Sequence, residues 1–500
     1  MTKNFNTFFT GLILVKAAAG CISPEQVEIP DNMNIVIFYT DDLGYGDLGC
    51  YGHPIIKTPN IDRFASEGVL LTDNHSAGTV CSPSRAALLT GRNPYRSGFF
   101  YIQSRNTFLA QEEITIPELL KTKGYETCFL GKWHLSELNK NIRVEPGPGE
   151  QGFDYWMGTT HNAFDGPENT DRFIKNDVPL GEVEGWYVDV IVEEAGTWLK
   201  EIRDSSKPFF LLVSTHEPHT PVLPPAEYSE MYNTAEVDSL EKTILYGGVR
   251  RPDRDISDNK KEYYGTITQL DDAFGRLLEI IDELGVTDNT LIYFTSDNGP
   301  ETPVTFEESL GRWEDPIRDN CFGTPGQFRG MKRYPYEGGH RVPGIVRLPG
   351  VIPAGSESGK FFNQTDLLPT LATLLDIKLP EDLNIDGQAN FDAFLNRKTE
   401  RNTPDIWFYP QHSNTHLRMP QMSMRSGQYT LIGRLPEKPD TLDLNDWFFN
   451  NVPERFELYD IINDPGQEYD LAGSKPEIVS SLSPVMEQLF IEMRDEGMNN

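Results

Sequence analysis

Two hydrophobic rhythms alternate along the chain. Short runs of β-branched and aromatic residues, bounded by turn residues, cover 34–40, 125–130, 208–215 and 290–296 and read as buried strands. Apolar positions at helical spacing occupy 61–67, 84–90, 116–122, 188–202 and the long stretch 261–284. Strands that alternate with helices predict an α/β fold, with a mostly parallel central sheet and helices on both faces. Beyond about residue 400 the rhythm changes. Short strands are expected at 407–410, 421–425 and 429–434, then a helix over 476–496, which together predict a small C-terminal α+β subdomain. The expected organisation is an export peptide at 1–24, a main domain at 25–400 and the subdomain at 401–500.

The residues just past the carboxyl end of each strand carry the chemistry. The first run ends in Asp41-Asp42-Leu43-Gly44, the second in Gly131-Lys132-Trp133-His134, the third in His216-Glu217-Pro218-His219 and the fourth in Asp297-Asn298-Gly299. In open α/β sheets ligands bind outside the carboxyl ends of the strands. Four such ends with complementary acids, amide, lysine and histidines therefore predict one site. Asp41, Asp42, Asp297 and Asn298 offer only hard oxygen, which suits Ca²⁺ or Mg²⁺ better than Zn²⁺.

The 500 residues carry 44 Lys+Arg against 76 Asp+Glu, a formal net charge of -32. Such a surface repels nucleic acid, so an anionic substrate needs a local basic pocket. No internal stretch approaches the roughly 20 apolar residues of a membrane span. At the amino terminus, Lys3, an apolar 8–15 segment and Ala17-Ala18-Ala19-Gly20 predict an export signal. Cys21 directly after it resembles a bacterial lipoprotein site, so a lipid anchor at Cys21 and a periplasmic or cell-surface location are expected. The other four cysteines, Cys50, Cys81, Cys128 and Cys321, are irregularly spaced and form neither a disulfide framework nor a zinc pattern.

Cys81-Ser82-Pro83-Ser84-Arg85 opens the helical run that continues Ala-Ala-Leu-Leu-Thr-Gly-Arg92. Pro83 fits a first helical turn. Cys81 then lies at a helix amino terminus, where free N–H groups favour an anion, and Arg85 projects from the same face.

Cys-x-Pro-x-Arg in this setting resembles the signature of the formylglycine-dependent sulfatases, members of the alkaline-phosphatase-like superfamily. The resemblance runs in order through Asp41-Asp42-Leu43-Gly44, Gly131-Lys132-Trp133-His134, Pro218-His219-Thr220-Pro221 and Ser296-Asp297-Asn298-Gly299. It continues in Arg329-Gly330-Met331-Lys332, Tyr336-Glu337-Gly338-Gly339 and Glu457-Leu458-Tyr459-Asp460. The resemblance implies that a maturation enzyme oxidises Cys81 to formylglycine (3-oxoalanine), whose hydrate attacks sulfur and then expels sulfate. It implies one Ca²⁺ held by Asp41, Asp42, Asp297, Asn298 and the residue-81 side chain. Arg85, Lys132 and Lys332 are implied as clamps on the sulfuryl oxygens. His134 is implied as the base that releases sulfate, and His219 as the acid for the leaving alcohol.

His216, three residues before His219, is read as either a sugar contact or a loop residue, and His53, His75 and His340 as structural or exposed. The substrate implied is a sulfated carbohydrate, such as ulvan, carrageenan or a glycosaminoglycan. Candidate contacts are Arg312, Trp313 and Arg318 in the 301–327 stretch, His161 and Asn162, and His412, His416 and Arg418. Two other readings compete: a phosphate or phosphonate ester hydrolase on a related scaffold, and a non-catalytic sulfated-glycan binder.

Overall fold

The computed structural model describes residues 28–103, 107–239, 244–246, 249–251, 257–301, 321–381, 383–410 and 421–498. Residues 1–24 with Cys21, and Arg312, Trp313, Arg318, His412, His416 and Arg418, lie outside the described residues.

Four strands, Asn34–Thr40, Glu126–Lys132, Phe209–Ser214 and Thr290–Ser296, form the parallel centre of a ten-stranded sheet. All four are buried on both faces except for the half-buried Glu126, which is why their sequences are nearly continuous apolar runs. Alternate residues feed opposite cores. Val36 and Phe38 join Phe209, Leu211 and Val213 on one face, while Ile35, Ile37 and Tyr39 join Phe210 and Leu212 on the other. The first core is closed by the Tyr187–Thr197 and Ser257–Glu283 helices, the second by the Cys81–Thr90 helix. The mixed periphery is less regular: Gly344–Arg347 pairs antiparallel to Thr290–Ser296, and Tyr155–Thr159 extends the parallel set beyond Glu126–Lys132.

Strand register delivers the polar ends side by side. Thr40 pairs with Ser296, so Asp41 emerges beside Asp297 and Asp42 beside Asn298. Tyr39 and Gly131 both pair with Ser214, which brings Thr215 and His216 out between the first strand and Lys132. Gly131 is required there. Its φ is 108°, and a Cβ would lie 1.8 Å from the Ser214 carbonyl oxygen. Gly299 is similarly pressed against the Gly338 carbonyl, 1.9 Å from where a Cβ would stand.

The carboxyl-terminal region forms a separate antiparallel sheet of Asp405–Phe408, Met422–Ser426, Tyr429–Arg434 and Arg455–Asp460, covered by the Pro476–Gly497 helix. Its fourth strand coincides with the Glu457–Asp460 motif. The sheet abuts the main body through Trp407, whose indole Nε1 donates to the Ser76 carbonyl at 2.8 Å.

Candidate active site

The Cys81–Thr90 helix begins at Cys81 itself, after an extended Val80, so the expected placement at a helix amino terminus is what the structure shows. Cys81 is buried, and its Sγ stands 3.4 Å from Asp41 Oδ1. One turn on, Arg85 reaches the strand ends: Nη2 and Nε donate to Asp297 Oδ2 at 2.6 and 3.1 Å, and Nη1 donates to the Lys132 carbonyl at 3.0 Å and Ser214 Oγ at 2.5 Å. The guanidinium thereby ties three strands and the helix together.

Asp41 and Asp42 follow the first strand into separate ion pairs. Asp42 has φ 66°, which turns the chain so that consecutive carboxylates reach different partners. Lys132 Nζ donates to Asp41 Oδ2 at 2.5 Å, and Lys332 Nζ to both Asp42 oxygens at 2.7 and 2.8 Å. Asp297 Oδ1 accepts the Asp42 amide at 3.2 Å, and Asn298 Nδ2 donates to Asp42 Oδ1 at 2.7 Å. His219 donates from Nδ1 to the Thr220 carbonyl at 2.6 Å, which leaves Nε2 facing Asp42 Oδ2 at 3.6 Å. The backbone N–H of His134 donates to the Thr160 carbonyl, and the His134 ring stands edge-on to His161.

All ten residues expected from the sequence are buried. Nine of them are linked by direct hydrogen bonds or ion contacts within this cluster or its loops; His134 is placed through its backbone and its ring contact. His216 is a loop residue, fully buried between the Pro221 carbonyl at 3.2 Å and Asn162 Nδ2 at 3.1 Å. Asn162 proves more central than a surface loop residue. It is buried and donates to Asp41 Oδ2 at 2.7 Å. The sequence marks it only as a candidate sugar contact in the loop after Gly158-Thr159-Thr160; its bond to Asp41 is a tertiary feature that no local pattern carries. Glu301, 3.6 Å from Lys332 and paired with Arg333, is a further buried acid beside the cluster.

Electrostatics sharpen the picture. Burial works against ionisation of Asp41, but Lys132, His219, Arg85 and Lys332 together hold its carboxyl well below the usual range. Burial pushes Asp42 up to about 7 and, aided by Asp41, raises Asp297. Burial, with Lys332 next, holds His219 well below an ordinary imidazole; burial, with Lys132 next, does the same for His134. The Cys81 thiol is pushed up by burial and then by Asp41. Burial and a neighbouring carboxylate thus disfavour the thiolate of an unmodified Cys81.

The donor set fits a hard cation. Asn298 Oδ1 is buried with no hydrogen-bond partner among the described residues, and the crowded carboxylates of Asp42 and Asp297 are driven toward their neutral forms without a cation. Asp41, Asp42, Cys81 and His219 also bring ligand-type atoms within 4.8 Å of one another.

A parallel sheet whose carboxyl ends converge on a helix-borne Cys-x-Pro-x-Arg defines a class of ester hydrolase. The sulfatase family model matches residues 33–377, and a model described as N-sulphoglucosamine sulphohydrolase, C-terminal, matches 326–494. The chain belongs to the sulfatase family and is an enzyme that hydrolyses sulfate esters. It is 32% identical to N-acetylgalactosamine-6-sulfatase of Canis lupus familiaris over 412 residues, covering 77% of this chain and 69% of that protein. It is 31% identical to the ulvan-active sulfatase of Formosa agariphila over 482 residues, covering 94% and 84%. Among solved structures, Ps i-CgsB in complex with k-i-k-neocarrahexaose superposes with a TM-score of 0.71 at 25% identity, covering 91% of this chain and 92% of that one.

Proposed function

We propose that this chain removes sulfate from a sulfated carbohydrate, with a formylglycine made from Cys81 as nucleophile and one calcium ion held by Asp41, Asp42, Asp297, Asn298 and the residue-81 side chain. The observation that carries the reading is the convergence of Cys81, Asp41, Arg85 and Lys132 at the strand ends, beside Asn298 Oδ1, which has no hydrogen-bond partner among the described residues. Burial and Asp41 disfavour a plain thiolate here, and the hydrate of the aldehyde would supply a hydroxyl nucleophile instead. A calcium ion would neutralise the carboxylates and draw a sulfuryl oxygen toward the site.

The remaining roles follow from the chain's own groups. Arg85, Lys132 and Lys332 face the same pocket as cations and hold the sulfuryl oxygens as charge builds on them. His134 is neutral because it is buried among cations, and so is able to take the proton that accompanies sulfate release. His219, its Nδ1–H fixed on the Thr220 carbonyl, presents Nε2 toward the pocket as the group that exchanges a proton with the leaving alcohol. A maturation enzyme that generates formylglycine is the implied partner. Export through the 1–24 segment, with anchoring at Cys21, places the enzyme where polysaccharides are met.

The carbohydrate assignment draws on the relatives that act on sulfated sugars. The experiment is sulfate release by matured enzyme from ulvan oligosaccharides, carrageenan oligosaccharides and N-acetylgalactosamine 6-sulfate, beside 4-nitrophenyl sulfate and 4-nitrophenyl phosphate. Turnover of at least one saccharide, with sulfate preferred over phosphate, is expected. Turnover of the aryl sulfate alone, or preference for phosphate, contradicts it.

A further inference from the structure

The residues that handle sulfate are buried, whereas the organic part of a polymeric substrate must extend toward solvent. One row of rings makes that connection. His134 is only 5% exposed, and the ring of His161 meets it edge-on, with centroids 5.1 Å apart and planes at 90°. The half-buried His161 is followed outward by Phe164, at 6.1 Å between centroids, and Phe164 is 54% exposed. A lone exposed phenylalanine is common on any protein surface. This one ends a row that starts at a proposed catalytic histidine.

The segment that carries these rings is fixed on both sides. Trp133 and His134 donate their backbone N–H groups to the carbonyls of Thr159 and Thr160, both at 2.9 Å, and Thr159 Oγ1 donates to the His161 carbonyl at 2.6 Å. Asn162 is bound to Asp41 and His216, and the Phe164 amide closes a turn on the Asn162 carbonyl at 2.9 Å. The neighbouring charges are engaged with each other, since Arg172 Nε donates to Asp165 at 2.8 Å. The rings are therefore positioned before any substrate arrives, which lowers the cost of ordering them on binding.

His161 has the chemistry of a hydroxyl partner. Neither ring nitrogen makes a hydrogen bond to a described residue. Burial, with Lys132 next, pushes the imidazole down to about 4, so it is neutral at ordinary pH and offers one donor and one acceptor. A sugar hydroxyl matches that pair, while a second sulfate or a carboxylate would require a cation. An aromatic face in turn suits the C–H side of a pyranose, which is apolar although its rim is not.

We propose that His161 and Phe164 recognise the sugar ring bearing the ester: Phe164 packs on the apolar face of the pyranose, and His161 exchanges a hydrogen bond with a free hydroxyl of the same ring. They are specificity-determining residues, distinct from the groups that handle sulfate. The inference rests on the carbohydrate reading above.

The test uses matured full-length enzyme and the saccharide among ulvan oligosaccharides, carrageenan oligosaccharides and N-acetylgalactosamine 6-sulfate that the wild type cleaves fastest. Phe164→Ala is expected to raise KM about tenfold with kcat changed less than about threefold, and Phe164→Trp to restore it. His161→Ala is expected to behave likewise, with partial recovery in His161→Gln. Because Phe164 is exposed, its variants remain decisive even if His161→Ala fails to fold. If the wild type desulfates a saccharide but Phe164→Ala keeps an unchanged KM, or loses kcat alone, the proposal is overturned. If the wild type cleaves 4-nitrophenyl sulfate and none of the three saccharides, the carbohydrate reading fails and the proposal goes with it.

Discussion

Cys81 is surrounded by groups that serve opposite ends. Burial and then Asp41 push its native thiol's pKa up, while Arg85, Lys132 and Lys332 bring positive charge to the same cluster. Cys81→Ala is therefore expected to abolish sulfate release, by about a thousandfold or more, with the melting temperature hardly changed, because the side chain makes a single weak hydrogen bond. Circular dichroism and steady-state rates on matured protein check this. Asn298→Ala removes a buried oxygen of the cluster that has no hydrogen-bond partner among the described residues. Calcium content by elemental analysis and kcat/KM should fall together; full calcium content with normal turnover would place the ion elsewhere. His219→Ala is expected to slow sugar sulfates at least about tenfold more than 4-nitrophenyl sulfate, since only the poor leaving group needs a proton. Equal losses on the two substrates would remove His219 from the acid role.

At the level of elements, the site is a consequence of register. Thr40 opposite Ser296 and Gly131 opposite Ser214 bring four loops to one point, and the packing of those strands leaves no space for a Cβ at Gly131. Gly131→Ala is accordingly expected to push the two strands apart just before Lys132, costing about 2 kcal/mol or more and most of the turnover. Denaturant titration and rates measure both. The four central strands were legible in the sequence because burial on two faces makes them continuous apolar runs. The Val69–Leu71 and Gly344–Arg347 strands were not, being short peripheral pieces whose pairing depends on chain hundreds of residues away. The site residues at strand ends were legible for the same reason as the strands. Asn162 was legible only as a loop residue that could meet substrate; its place in the acidic cluster lies in two tertiary hydrogen bonds, to Asp41 and His216, which no local pattern shows.

Across the whole molecule, the antiparallel sheet is joined to the main body by a buried polar network. His75 Nε2 donates to Asp73 Oδ1 at 2.9 Å, which leaves Nδ1 to accept from His340 Nδ1 at 2.9 Å. The His340 ring lies flat on Trp407, at 3.9 Å and 8°, and Arg341 and Arg425 flank Asp73 at 3.1 and 3.3 Å. The two histidines were expected to be structural or exposed; both are buried and structural. Trp407→Ala should cost about 3–5 kcal/mol, through the cavity and the lost Ser76 bond. Burial holds both imidazoles below their ordinary value, and Arg341 with Arg425 overcomes burial to hold Asp73 well below its own. Each group's folded pKa is thus below its unfolded one, so the unfolded chain gains protons first as pH falls. Stability should decline below about pH 6.5 as the histidines titrate in the unfolded chain, then further below about pH 4 through Asp73. Thermal melts across pH should show this, with the upper part of the decline smaller in His340→Leu; an identical profile would assign the acid sensitivity to other groups.

The most direct measurement is intact-peptide mass spectrometry of residue 81 in protein co-produced with a formylglycine-generating enzyme, read beside the specific activity of the same preparations. Sulfate release should rise in proportion to the fraction of peptide carrying an aldehyde in place of the thiol. Full turnover from protein whose Cys81 remains an untouched thiol would contradict it.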